Sequence, residues 1–132
     1  MKGLRLAAVA LAIGASSVSL AAQTKALPYS AAGDYQVYCS SCHGTMGKGD
    51  GVISNSLKKR PPDLTQLARR NGGVFPEEKV FKAIDGRRNG HPDSDMPAWA
   101  EVLAKSTDSL GEQNAAARIN LLVEYLQTLQ VK

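Results

Sequence analysis

Three residues in this chain of 132 stand together as candidates for chemistry: Cys39, Cys42 and His43, in the run Cys39-Ser40-Ser41-Cys42-His43. The chain has two cysteines, and both are in this run. C-x-x-C-H is the c-type haem attachment pattern. Residues three apart on a helix share a face, so both thiols can meet the two vinyl groups on one edge of the macrocycle and form thioethers. His43 follows at once, where the turn at the helix end carries its imidazole under the iron. Other readings of the pair fit less well. A disulfide across Cys39–Cys42 closes a tiny loop and constrains the unfolded chain little. A thioredoxin-like pair belongs to a βαβ pattern, and no strand-like alternation surrounds this one. A zinc site needs about four ligands, and beyond these three residues only His91 or a carboxylate remains. A chance match to so short a pattern is the remaining alternative.

The elements that must hold these residues read as helices and loops. Ser30 is an N-cap for a first helix over about Ala31 to Ser41. Gly44, Gly47, Gly49 and Gly51 then mark a loop that can pass close to a ring. Asp63 caps a short helix through Leu64, Leu67 and Ala68. Pro76 fits the first position of another helix, with Glu77 and Glu78 beside its positive end. Val80, Phe81 and Ile84 form that helix's apolar side, and Gly86 suits its stop. A second loop runs from Arg87 to Pro97. Ile119, Leu122, Val123, Leu126 and Leu129 recur at helical spacing and predict a closing core helix.

The first residues carry a different signal. Lys2 and Arg5 precede an apolar run from Leu4 to Leu20 that ends in small residues, which is the order of a secretory signal peptide cleaved near Ala22 or Gln23. The run is shorter than the roughly 20 residues that span a bilayer, so stable membrane insertion is not expected; a retained anchor is the alternative reading. The expected division is a signal peptide over 1–22 and one domain over 23–132. The whole chain has 16 basic and 12 acidic residues, net +4. Without Lys2 and Arg5 the excess is +2, too small to argue for a nucleic-acid partner. Aromatic residues make up 5%, low for a core of this size, and a large apolar cofactor would make up the deficit.

Residues 29 to 131 resemble the class I cytochrome c fold of small bacterial periplasmic mono-haem proteins. The resemblance rests on Gly33 and Tyr38 ahead of Cys39-Ser-Ser-Cys-His43, then Gly44-Thr-Met-Gly47-Lys-Gly49-Asp50-Gly51. Pro61-Pro62-Asp63-Leu64-Thr65, Asp85-Gly86-Arg87, Met96-Pro97-Ala98-Trp99 and the closing helix follow in order. C-x-x-C-H is the specific element; the rest are weak singly and strong together. The implied fold is all-α, three to four helices with long loops around one covalently bound haem. In the resembled fold the closing helix crosses the first one, with Gly33 and Tyr125 as candidates for the contact.

The same resemblance bears on the second axial ligand of the iron, for which Met46, Met96 and His91 are candidates. Met46 follows His43 by three residues and belongs to the same side of the ring. The resemblance places the distal Met in the loop after a helix, here Met96 before Pro97. His91, between Gly90 and Pro92, is the third candidate or simply a loop residue. The resemblance also implies a Pro carbonyl, of Pro61 or Pro62, as acceptor for the other ring N–H of His43. Trp99 packs at the haem edge or in the core, and Arg87 and Arg88 face a propionate or solvent.

A His/Met pair favours ferrous iron and raises the potential, and it leaves no open position for peroxide or O₂ chemistry. The implied function is a periplasmic electron carrier, not itself an enzyme, that meets periplasmic or membrane-bound redox proteins transiently. The first alternative is a haem c subunit of a periplasmic dehydrogenase or reductase complex. A haem-based sensor or peroxidase, which needs Met96 to dissociate, is the second.

Overall fold

A computed structural model describes residues 30–88, 95–105 and 112–131 of the chain. Residues 1–22, His91 and most of the stretch just before Met96 lie outside these, so the expected leader and the histidine alternative are not placed. Among the described residues the regular elements are all helical, as the sequence predicts.

Helix α1 covers residues 31–43. Ser30 opens it in extended conformation, and its hydroxyl accepts the Gly33 N–H at 3.1 Å. The helix does not keep one pitch. Ala31–Asp34 is α-helical, Tyr35–Cys39 is a π-helical turn, and Ser40–His43 is α-helical again. It runs two residues past the expected end, so all of the Cys-Ser-Ser-Cys-His run lies on it. Gly44 ends it with φ of 81°, a backbone conformation that glycine adopts without the Cβ clash of other residues.

Three shorter helices follow. Asp63 accepts the Thr65 N–H at 2.9 Å and the Thr65 hydroxyl at 2.6 Å, starting a 3₁₀ turn, Leu64–Gln66, that leads into α2, Leu67–Arg70. Helix α3 is Glu77–Asp85. Pro76 takes the capping position before it rather than its first turn, and Glu77 and Glu78 fill the first turn as expected. Gly86 closes α3 in the left-handed region, φ 73°. A Cβ there would also stand 2.6 Å from the Ala98 Cα, so the end of α3 seats directly on the segment that carries Met96. Helix α4, Trp99–Ala104, was not expected from the sequence; α5 is Glu112–Thr128.

The core is the meeting of α1, α3, α4 and α5. Tyr35, Val80, Ile84, Ala100, Leu103, Ile119, Leu122, Val123 and Leu126 are buried in it. Full burial of one such aliphatic side chain is worth about 1.5–3 kcal/mol, so this cluster dominates the favourable side of folding. The C-terminus is tied down as well: the Val131 N–H reaches the Thr65 carbonyl at 3.0 Å, and the Gln130 side chain bridges Ala68 N and the Leu64 carbonyl.

The first and last helices cross as expected, and of the two expected contact residues Tyr125 is at the crossing while Gly33 is not. The Tyr125 ring packs on the Tyr35 ring at 5.4 Å between centroids. Gly33 is exposed, and among the described residues a Cβ on it would meet Ser30 Oγ alone within contact range; it marks the capped first turn instead. The crossing is held by Asp34 and Arg118. Arg118 Nε donates to one carboxylate oxygen and Nη2 to the other, both at 2.9 Å, with Arg118 1% and Asp34 5% exposed.

Candidate functional site

The last turn of α1 has carbonyls that no further helical turn can satisfy. The glycine loop returns to satisfy them in order. Gly44 N–H donates to the Ser40 carbonyl at 2.8 Å, Ile53 N–H to Ser41 at 3.1 Å, Gly51 N–H to Cys42 at 3.2 Å and Gly49 N–H to His43 at 2.8 Å. The return path is tight. A Cβ on Gly51 would collide with the Ser41 and Cys42 carbonyl groups, and a Cβ on Gly49 would collide with the Pro61 carbonyl. Gly51 thus lies against the backbone of the motif itself, and Gly49 against that of Pro61. The same packing brings Pro61 to the loop that ends on His43.

Tyr35 adds a side-chain tie. Its hydroxyl donates to the Gly44 carbonyl at 2.7 Å in a buried setting, and burial raises its pKa well above the phenol range. The hydroxyl is thus a permanent donor, fixed to the residue after His43. Together these bonds hold the backbone of the Cys-Ser-Ser-Cys-His run from above and below.

Cys39 and Cys42 are not bridged to each other, and both are partly exposed. Burial pushes the Cys39 thiol up to about 12, with the Asp34 carboxylate and Cys42 adding to the rise. A reactive redox thiol has a lowered pKa, the opposite of the direction at Cys39. Among the described residues, no three or more His, Cys, Asp or Glu side chains group to hold a metal ion; His91, the further candidate zinc ligand, lies outside them. His43 is half-buried at the helix end, with Nδ1 fully shielded from solvent.

Met96 is half-buried in the extended segment ahead of α4 and packs against the core. Asp95 beside it accepts the Lys58 N–H at 2.7 Å, which links this segment to the loop before Pro61. Met46 is 62% exposed on the glycine loop. Trp99 is half-buried, with its ring edge-on to Tyr38 at 5.6 Å. Arg87 is exposed and clasps Asp85 through Nε and Nη2 at 2.8–3.3 Å. Arg87 and Arg88, with Phe81, Lys82 and Asp85, line an open cavity of about 410 Å³; Cys39, Cys42, His43 and Met96 are not among those lining residues.

Leu64, Leu67, Phe75, Phe81, Met96 and Trp99, with Tyr38 and Cys39, form a set of partly buried apolar side chains drawn from successive parts of the chain. Two unbridged thiols and an imidazole on the last turns of α1 suit a covalently held macrocycle with iron and do not suit a bare hard cation. Sequence reasoning missed Asp34 and Arg118. A signal for Arg118 existed, because it stands three residues after Ala115 and four before Leu122, within the buried stripe of α5.

No family model matches the chain, and no curated protein does. Among solved structures it is similar to a chain of the reducing HAO-like protein complex of Kuenenia stuttgartiensis. The two share 26% identity over 76% of this chain, with a TM-score of 0.53. This chain spans 41% of that chain's length.

Proposed function

We propose that this chain is an electron-transfer unit carrying one covalent haem c. Cys39 and Cys42 hold the haem through thioethers, His43 is its proximal ligand and Met96 its distal one. The observation that carries the reading is the C-x-x-C-H run on the last turns of a helix, with unbridged cysteines and each closing carbonyl pinned by the glycine loop. When bound, the haem supplies a one-electron ferric/ferrous couple. The protein fixes its orientation by the helix, keeps Cys39 in an apolar setting and shields His43 Nδ1. With His43 and Met96 both engaged, the iron has no open position, which suits electron transfer over catalysis. Haem chemistry of the sensor or peroxidase kind would need Met96 to leave.

The similarity to a chain of a reducing HAO-like protein complex favours work as a haem c subunit within a larger redox assembly over work as a free carrier. That chain is longer than this one, so the comparison supports a shared domain rather than a shared activity. Export to the periplasm follows from the leader over 1–22, leaving a single domain over 23–132 that exchanges electrons with other redox proteins. No helix among the described residues is long and apolar enough to cross a membrane.

Optical spectra of Met96→Ala, Met46→Ala and His91→Ala test the ligand pair. Met96→Ala abolishes the far-red sulfur-to-iron band of the oxidised protein and opens the iron to carbon monoxide. Met46→Ala and His91→Ala leave the band in place. Loss of the low-spin site in His91→Ala with Met96→Ala unaffected overturns the His/Met assignment. Size exclusion of the native holoprotein from its own cells then separates subunit from carrier: elution with stable larger partners supports the subunit reading, and elution as a lone monomer supports the carrier.

A further inference from the structure

Among the described residues, Asp34 and Arg118 are the charged side chains that are buried. Each charge has left water, and a buried pair of this kind is often no more stabilising than apolar residues of the same volume. It is placed beside the motif. Arg118 stacks over the Tyr38 ring, 5.6 Å from its centroid, and Tyr38 immediately precedes Cys39 and meets Trp99 edge-on. Asp34 stands one π-helical turn before Cys39 on α1, and its negative charge adds to the rise of the Cys39 thiol pKa. At 1% and 5% exposure, neither charge is screened by solvent as a surface charge would be.

Resting on the haem reading above, we propose that Asp34 and Arg118 are positioning and potential-setting residues for the group held at Cys39. In this proposal Asp34, whose charge acts on the Cys39 thiol, is dominant, and Arg118 opposes it. Iron gains a positive charge on oxidation, so a fixed carboxylate near Cys39 stabilises the ferric form and a fixed guanidinium the ferrous form. The two residues therefore act on the same equilibrium with opposite signs. A pair that serves only to pack α1 on α5 has no such signature.

The test is potentiometric titration of holoprotein, read from its haem absorbance, in Asp34→Asn, Arg118→Gln and the double variant. Both replacements keep hydrogen-bonding capacity between the two positions. Asp34→Asn raises the potential and Arg118→Gln lowers it, each on the order of tenfold in the reduction equilibrium constant, about 59 mV for one electron. The double variant moves up by less than Asp34→Asn. Should one single variant fail to fold, the double compared with the surviving single gives the missing sign. Should both fail, the upward shift of the double decides. Single variants that shift in the same direction, or a double identical to the wild type, overturn the proposal while leaving covalent haem intact. Wild-type protein that carries no covalent haem overturns the haem reading and this proposal together.

Discussion

Gly51 lies against the Cys42 carbonyl: its N–H donates to that oxygen at 3.2 Å, and a Cβ in its place would stand 2.6 Å from the same oxygen. The contact is backbone on backbone, so no side chain can swing aside to relieve it. The loop and the motif helix are thereby one unit.

Gly51→Ala should therefore force the two strands of backbone apart, at a cost of about 1–3 kcal/mol, the range for overpacking a fitted site. The expected outcome is a lowered denaturation midpoint and poorer haem incorporation. Chemical denaturation of purified protein checks it, with Val52→Ala, at an exposed neighbour, as the control that should change neither.

Tyr35 offers a second handle on the same backbone. Tyr35→Phe keeps the ring against Tyr125 and removes only the donor to the Gly44 carbonyl. Loss of a buried hydrogen bond that leaves its acceptor unpaired costs about 1–3 kcal/mol. A thermal scan should show a clear drop in Tm. An unchanged Tm would mean that Gly44 finds another donor.

Asp63 makes stability depend on pH. Its carboxyl is held below the ordinary range by the Thr65 hydroxyl first, with the Thr65 N–H and the charges of Arg70 and Lys48 adding to it and burial opposing. A folded-state pKa below the unfolded value means that the carboxylate's contribution is fully present above about pH 3.9 and is lost as pH falls through the folded value. Asp63→Asn keeps a capping acceptor and should flatten that part of the acid limb, while stability near neutrality changes little. Tm measured across the acid range for both proteins decides it; parallel curves would contradict the assignment.

Much of this arrangement was legible in the sequence because it is local. Ser30, Asp63 and Gly86 each act on atoms within four residues, and each caps its helix where expected. The stripe Ile119, Leu122, Val123 and Leu126 is periodic over many turns and is buried as expected. What was illegible depends on distant partners. Asp34 and Arg118 are 84 residues apart, and single charges read as surface until their partner is known. The π-helical turn at Tyr35–Cys39 leaves no periodic mark in so few residues. Helix α4, Trp99–Ala104, is too short for its buried Ala100 and Leu103 to stand out as a pattern, and the contact of Gly86 with Ala98 needs the fold to exist first. Gly33 misled for the converse reason: its place ahead of the motif fitted a helix crossing, while its actual use is in the first turn.

The central claim is covalent haem at Cys39 and Cys42, and mass spectrometry of the denatured polypeptide tests it most directly. Protein produced with haem-attachment machinery should keep its pigment on denaturation and carry the added mass of one haem, and the Cys39→Ala, Cys42→Ala double variant should lose both. Pigment that acid-acetone extracts from the native protein, or a denatured chain at its bare polypeptide mass, would contradict the account.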